Sequence, residues 1–282
     1  MSNILFVCTG NTCRSPMCEA LARRLSPKDS FSSRAISGFG GEKVSENAAL
    51  VLKKHGLDIS SHISVPLKET DIKNADEIIC MTESHKTVLE FILNKLSIEK
   101  PVYVLGGGIP DPFSGDEKVY ENCYSLIKNS LISHFFGVKV GDISENDFAD
   151  LALIEKKFFY PPWSENAFKD FYENKTGIGL TLKKGDKLVG YITGCHTLDV
   201  SEIYNIAVIE SEQKKGLGRL LMLEFLQRLP ANTEITLEVR KTNSGAIALY
   251  EGLGFKAVGE RRNFYQNPTE DALVMKKERS EF

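Results

Sequence analysis

The sequence predicts an α/β protein in two parts. Residues 1–137 should form an open parallel sheet with helices on both faces, and residues 138–282 a mixed α+β sheet. Three observations carry this. Short apolar runs alternate with stretches of helical periodicity through the first part, the pattern of β-α units that cover a parallel sheet. Beyond Gly137 the apolar runs crowd together and tight turns join them. Each part also carries its own chemical signature: VCTGNTCRSPM at 7–17, and QKKGLGR with LEVRKTNSGAIALY between 213 and 250.

In the first part, residues 4–8, 34–37, 77–81 and 102–105 read as strands, because they are short, apolar and bounded by turn residues. Residues 15–26, 45–55, 84–93 and 117–136 have helical spacing. The join is short, near 136–140, with no Pro/Gly/Ser-rich linker. In the second part a strand at 138–140 precedes two helical stretches. Residues 177–183 and 188–195 form a hairpin turned at Gly185-Asp186. Further strands are expected at 203–208, 235–239, 256–258 and 272–275, and helices at 216–229 and 244–252. There is no internal repeat.

The chain is 42% hydrophobic and 26% charged, an ordinary globular balance, and 282 residues suffice for two cores. Residues 1–137 carry 15 basic and 16 acidic side chains, and the remainder 20 and 22. Neither part is basic, which argues against non-specific binding to nucleic acid or a membrane surface. No apolar run reaches the length of a membrane span. The opening MSNILFVC has no basic region and no small-residue cleavage site, so it reads as a first strand and not a signal peptide. Six cysteines without C-x-x-C pairs and five scattered histidines offer no metal cluster. The expectation is a cytoplasmic protein with reduced thiols and no metal.

In the first signature Cys8 ends a strand and Ser15-Pro16 opens a helix, where proline costs little. The stretch from Thr9 to Arg14 must curl over the helix N-terminus. Its backbone N–H groups then favour an anion, and the same field favours a thiolate at Cys8. Arg14 can grip two phosphate oxygens with its planar fork. A thiolate beside a phosphate cradle means phosphoryl transfer through a phosphocysteine. The leaving group needs a proton, and Asp111, held extended by Pro112, is the candidate acid. A lone cysteine at a strand end is usually a small buried hydrophobe. That reading leaves Gly10, Asn11, Arg14, Ser15, Pro16 and the Asp111-Pro112 pair unexplained. It does suit Cys18 and Cys123, and Cys13 unless the last is a redox partner for Cys8.

On these residues, 2–136 resembles the low-molecular-weight protein phosphatases, which share the strand–loop–helix cysteine signature and the late Asp-Pro pair. The resemblance implies a flavodoxin-like fold for 1–137, Cys8 as nucleophile, Arg14 as phosphate clamp and Asp111 as general acid. It also implies that Thr9, Gly10, Asn11, Thr12, Cys13 and Ser15 bind the substrate phosphate, with Asn11 and Ser15 shaping the loop. Tyrosine-directed members usually carry a branched aliphatic residue at the place of Thr12. Threonine there resembles the protein-arginine phosphatases, which tips the expected substrate toward phosphoarginine with phosphotyrosine as the alternative. Related arsenate reductases need a downstream cysteine pair, and Cys80 has no partner before Cys123.

In the second signature, Ile206, Ala207 and Val208 end a strand, and Lys214, Lys215, Gly216, Leu217, Gly218 and Arg219 lead into an apolar helix. Glycines at 216 and 218 let the backbone approach a diphosphate. Taken alone such a loop could be mere packing. Asn243 is a helix N-cap. Glu238 and Tyr250 lie on consecutive elements and suit a base for an amine acceptor and an acid for a leaving thiolate. Each alone would read as an exposed strand Glu or a half-buried helix Tyr. Pro162-Trp163-Ser164, NIAV at 205–208, the QKKGLGR loop, LEVRKTNSGAIALYEGLGF from 237, and Arg261-Arg262-Asn263-Phe264-Tyr265 followed by Glu270-Asp271-Ala272 make the segment resemble the GNAT superfamily. Within it, the segment resembles the ribosomal-protein N-terminal alanine acetyltransferases. That implies a GNAT domain over 138–282, acetyl-CoA held at 206–208, 214–219 and Asn243, and Glu238 and Tyr250 as proton acceptor and donor. It implies as acceptor the N-terminal alanine of the eighteenth small-subunit ribosomal protein. Trp163 and Tyr265 are candidates for its groove, and core packing is an equally good reading of Trp163.

The expectation is therefore a bifunctional enzyme acting on a phosphoprotein and on a protein N-terminus. Its competitor is an acetyltransferase whose first part only binds phosphopeptides. Retention of Cys8, Arg14 and Asp111 argues against that competitor.

Overall fold

β1 (Asn3–Cys8) is buried at every residue but the first, without the alternation of a half-exposed strand, so it needs cover on both faces. A computed structural model describes residues 1–198 and 200–278. In it β1 pairs in parallel with β2 (Ser30–Ala35) and β3 (Glu77–Cys80), and β3 with β4 (Val102–Val104), in the order β2-β1-β3-β4. On one side α1 (Arg14–Leu25), α2 (Glu46–Lys54) and α5 (Glu117–Phe136) pack together, with α1 against β1 and β2. α3 (Glu69–Asn74) contacts β1, and α4 (Glu83–Leu96) contacts β3 and β4. Leu5, Val7, Ile72, Ile78, Leu89 and Leu93 form the core beneath α3 and α4. Phe6 stacks on Phe31 at 6.1 Å, and Phe31 meets Phe135 at 5.9 Å. This is the expected open parallel sheet with helices on both faces.

Two details differ from expectation. β2 covers 30–35 where the apolar pattern suggested 34–37. Its sequence SFSSRA buries only alternate residues, and parallel register with β1, Asn3 opposite Ser30 through Cys8 opposite Ala35, fixes its extent instead. α3 was not foreseen, because its six residues contribute a single buried side chain, Ile72.

The first compact unit ends at Gly137 and a second begins at Val138. Gly137 closes α5 in the left-handed conformation (φ 65°). The second unit is a seven-stranded mixed sheet in the order β10-β11-β9-β8-β7-β6-β5. Its elements are β5 (Lys139–Asp142), α6 (Phe148–Phe158), α7 (Glu165–Glu173), β6 (Gly177–Lys184), β7 (Lys187–Thr197), β8 (Val200–Val208), α8 (Leu217–Arg228), β9 (Glu234–Arg240), α9 (Ser244–Glu251), β10 (Lys256–Tyr265) and β11 (Glu270–Glu278). α8 lies on β6, β7 and β8. It approaches so closely that a Cβ at Gly194 would sit 2.6 Å from the Phe225 ring. β10 runs seven residues past the expected 256–258; its residues are almost all exposed, so burial leaves no hydrophobic pattern and pairing with β11 defines it.

Every neighbouring pair in this sheet is antiparallel except β8 with β9. Their parallel pairing joins 200–203 to 234–237. Beyond that point both strands continue, to Val208 and to Arg240, without pairing to each other. The sheet therefore opens into a wedge in its interior.

Candidate active sites

The first site lies at the C-terminal ends of β1, β3 and β4, the usual place for ligands in an open parallel sheet. Its keystone is Asn11, fully buried and in the left-handed region at φ 56°, a conformation asparagine tolerates better than most residues. Its side chain Nδ2 donates to Ser15 Oγ and Ser33 Oγ, both at 2.9 Å, and its Oδ1 accepts the Val65 N–H at 2.9 Å. The Asn11 N–H points at Cys8 Sγ at 3.3 Å, and Ser15 Oγ lies 3.0 Å from the same sulfur. Thus the structure brings Cys8, Asn11 and Ser15 together. Cys8 is buried but for its approach through the loop, with 2% exposure.

Arg14 is the first residue of α1 and is buried. Its Nη1 donates to the Ile109 carbonyl at 3.1 Å and its Nη2 contacts Asp111 Oδ2 at 2.5 Å, while its buried Nε has no hydrogen-bond partner among the described residues. Arg14 and Asp111 are thus neighbours across the loop. Asp111 is half exposed, and its other oxygen accepts the Phe113 N–H at 3.2 Å. Gly10 sits at the partly exposed crest of the loop. Thr9 Oγ1 is 2.9 Å from His85 Nε2, whose other ring nitrogen is 2.9 Å from Thr82 Oγ1. Burial, then the positive charge of Arg14, holds His85 below the usual histidine range. Thr12 opens onto a cavity of about 480 Å³ that Glu42, Ser45, Asn47, Phe113 and Tyr120 also line. Cys13 turns away from Cys8 toward the Tyr120 hydroxyl at 3.2 Å, and burial followed by that hydrogen bond pushes the phenol up to about 12. Burial raises Cys18 and pushes Cys123 up to about 12, which suits packing thiols.

The second site is built on the wedge. Ile206, Ala207 and Val208 line its β8 side. Gly216 caps α8 at φ 85° and Lys214 lies at φ 61°. The first bond into the helix runs from Leu220 N to the Gly216 carbonyl, so the N–H groups of Leu217, Gly218 and Arg219 precede it, the usual anion-facing end of a helix. Lys215 pairs with Glu212 at 2.9 Å. Asn243 caps α9 through its side-chain oxygen, which accepts Ala246 N–H at 3.1 Å.

Glu238 is the first β9 residue past the paired segment, at the mouth of the wedge. Arg261 approaches it at 3.1 Å. Burial nonetheless raises its carboxyl, against the opposing pull of Arg261 and with a smaller push from Glu202. Tyr250 on α9 is 5% exposed, and burial raises its phenol well above the ordinary value. Tyr265 interacts electrostatically with both, and burial and then Glu238 push it up to about 12. Trp163 packs on Phe168, Phe171 and Tyr204 at 5.3, 5.6 and 6.0 Å. No group of three or more described His, Cys, Asp or Glu side chains could hold a metal ion, and no described helix is long and apolar enough to cross a membrane.

Two family models match, one to each part. Residues 3–142 match the low molecular weight phosphotyrosine protein phosphatases, and residues 148–255 the acetyltransferase (GNAT) family. An alanine N-acetyltransferase of ribosomal protein bS18 from Salmonella typhimurium is 36% identical over 139 residues, 47% of this chain and 92% of the relative. The low molecular weight protein-tyrosine-phosphatase PtpB of Staphylococcus aureus is 35% identical over 135 residues, 46% of this chain and 94% of that protein. Among solved structures, the YwlE arginine phosphatase from Geobacillus stearothermophilus is 31% identical over 46% of this chain and 88% of that one, with a TM-score of 0.43.

The chain belongs to both families. It is a phosphatase–acetyltransferase fusion.

Sequence reasoning passed over several residues of the fusion's two sites. In the phosphatase half, Phe39 is fully exposed within a glycine-rich turn, and that turn begins where Ser37 N–H donates to the Thr9 carbonyl at 3.1 Å. The SGFGG run was the signal, an aromatic among glycines with nothing to pack on. His62 lies 2.9 Å from the Asn11 carbonyl. His62 and His85 are far from Cys8 in sequence, and no local pattern marks them. In the acetyltransferase half, Glu155 and Glu202 went unremarked, since single glutamates in a helix and a strand read as solvent-facing.

Proposed function

We propose that residues 1–137 form a phosphatase domain that dephosphorylates proteins through a phosphocysteine, and 138–282 an acetyltransferase domain that acetylates a protein N-terminus in the cytoplasm. One observation carries the first reading: Cys8, Arg14 and Asp111 converge on one loop edge around backbone N–H groups. The Cys8 thiolate attacks phosphorus, loop N–H groups and Arg14 hold the phosphate oxygens, and Asp111 gives its proton to the departing group. Asp111 then takes a proton from the water that attacks the phosphocysteine, which returns the thiolate. Phosphoarginine is the favoured substrate. Thr12 and the 74%-exposed Phe113 border one cavity, where a hydroxyl and an aromatic face suit a planar guanidinium. Phosphotyrosine is the second reading, favoured by the name of the staphylococcal relative.

In the second domain the open wedge and the Gly216 turn fit acetyl-CoA. The Leu217, Gly218 and Arg219 N–H groups, Lys214 and Lys215 would hold its diphosphate, the 206–208 strand its pantetheine arm, and Asn243 would contribute from the cap of α9. Acetyl-CoA supplies the activated acetyl group. Glu238 takes the proton of the acceptor amine, and Tyr250, kept protonated by burial, donates one to the leaving thiolate. The acceptor reading is the N-terminal alanine of a small-subunit ribosomal protein, as named for the Salmonella relative. The six free cysteines suit a reducing cytoplasm.

Paired assays test this. Cys8→Ser should abolish phosphatase turnover, keep phosphate-analogue binding and leave acetyl transfer unchanged; undiminished turnover would sink the phosphocysteine, whereas a wild type that binds phosphopeptides without turning them over would support a module that merely binds them. Thr12→Ile should move the kcat/KM ratio toward phosphotyrosine by roughly 10–200-fold. A wild type that already prefers phosphotyrosine, with a ratio the substitution does not move, overturns the arginine reading.

A further inference from the structure

Glu155 is fully buried on α6, a costly place for a carboxylate unless its oxygens are satisfied. They are satisfied by three neutral donors from three other segments. Oε2 accepts the Trp163 N–H at 3.1 Å. Oε1 accepts Asn205 Nδ2 at 2.7 Å and the Tyr191 hydroxyl. No ion pair involves Glu155 among the described residues. Burial raises its carboxyl, against the pull of the three hydrogen bonds. An apolar side chain would fill the same space without that cost. What the carboxylate adds is geometry, because a fully satisfied buried network permits one arrangement of its partners.

Those partners flank the wedge. Asn205 immediately precedes the 206–208 strand, at the stretch where β8 has already left β9. Tyr191 belongs to β7, pairs with Ala207, and packs edge-on against Phe168 at 5.8 Å. Trp163 lies on the chain entering α7, and its ring reaches Tyr204 on β8. Glu155 therefore ties the Trp163 segment to the strand assigned above to acetyl-CoA.

We propose that Glu155 is a positioning residue for acetyl transfer: it fixes the Trp163 segment as a wall of the acceptor groove at a set distance from β8. This rests on the acetyltransferase reading with Trp163 at the acceptor. Glu155 itself touches neither substrate.

The test uses the full chain, acetyl-CoA and a six-residue peptide beginning with alanine. Trp163 is the only tryptophan, so intrinsic fluorescence reports the wall directly. Glu155→Met keeps the volume and removes both acceptors. It should raise the peptide KM or lower kcat/KM for peptide by about 10–100-fold, the scale of a misplacement near 1 Å. The acetyl-CoA KM should stay within about twofold, and Trp163 emission should shift red with stronger acrylamide quenching. Glu155→Gln should restore most of the activity and the emission. Its oxygen can still accept from Trp163, and its amide can donate to the Tyr191 oxygen and to a flipped Asn205. Tyr191→Phe removes one donor without changing core volume and should give a smaller change in the same direction; it carries the test should Glu155→Met not fold. Unaltered peptide kinetics and emission in Tyr191→Phe and any folded Glu155→Met overturn the proposal. So does a parallel loss of acetyl-CoA affinity and peptide affinity, which marks a merely structural role. Wild-type protein that transfers no acetyl group, with variants that still show the emission changes, instead refutes the acetyltransferase reading and keeps Glu155 as the tie to Trp163.

Discussion

At the scale of single residues, the two sites solve opposite charge problems. Around Cys8 the fold assembles donors: the Asn11 N–H, the Ser15 hydroxyl and the Arg14 guanidinium. At the mouth of the wedge it assembles groups that resist ionisation, since burial raises Glu238, Tyr250 and Tyr265 alike. A base with a raised pKa holds its proton to higher pH, so the acid limb of acetyl transfer should lie above the ordinary carboxylate range. Arg261 is the influence that pulls Glu238 back down. Arg261→Met should therefore move that limb upward in pH, and Glu238→Gln should lack it. Initial rates at saturating peptide across pH 5 to 9 read both; a limb that Arg261→Met leaves in place would show that Glu238 is not the titrating base.

At the scale of elements, function depends on how strands end. β1 stops at Cys8, and the next six residues form the cradle because Asn11 can sit at φ 56°. α8 begins at Gly216 because glycine can sit at φ 85°. Gly216→Ala forces a Cβ into the left-handed region at about 1–2 kcal/mol. It should lower the stability of the second unit by that amount and weaken acetyl-CoA binding, while phosphatase turnover stays unchanged. Calorimetry and titration of acetyl-CoA check it. Much of this was legible in the sequence. Cys8, Arg14 and Asp111, the Gly216 turn and the Asn243 cap are announced by residues whose backbone or charge has few other uses. The less legible parts rest on pairing and distance. β2 takes its extent from β1, and β10 has almost no buried residue to mark it. Glu155 meets Trp163, Tyr191 and Asn205, two of them on strands distant in sequence, so its role follows from tertiary contacts that no short spacing encodes.

At the scale of the molecule, the chain holds two cores divided at Gly137 and Val138. A domain with its own core can fold alone. Cleaving the gene after codon 137 should give a first fragment that melts cooperatively and dephosphorylates its substrate, and a second that acetylates. Circular dichroism melts and the two assays decide it. A fragment that is soluble yet unfolded would show that its core is incomplete.

The wedge between β8 and β9 has a further consequence. Most sheets carry unpaired backbone groups only at their outer strands, where charge, bulges or prolines discourage pairing with other chains. Here two central strands each keep a row unpaired with the other, and β8 presents Tyr204 half exposed beside it. No outer-edge device guards these rows. Their protection would be divergence: the strands are held together at 200–203 and 234–237 and part beyond, so they no longer offer one straight strand two parallel edges. A slender, flexible guest can pair where a full strand cannot, so the opening proposed to admit acetyl-CoA would also discourage the commonest route by which bare strand edges aggregate.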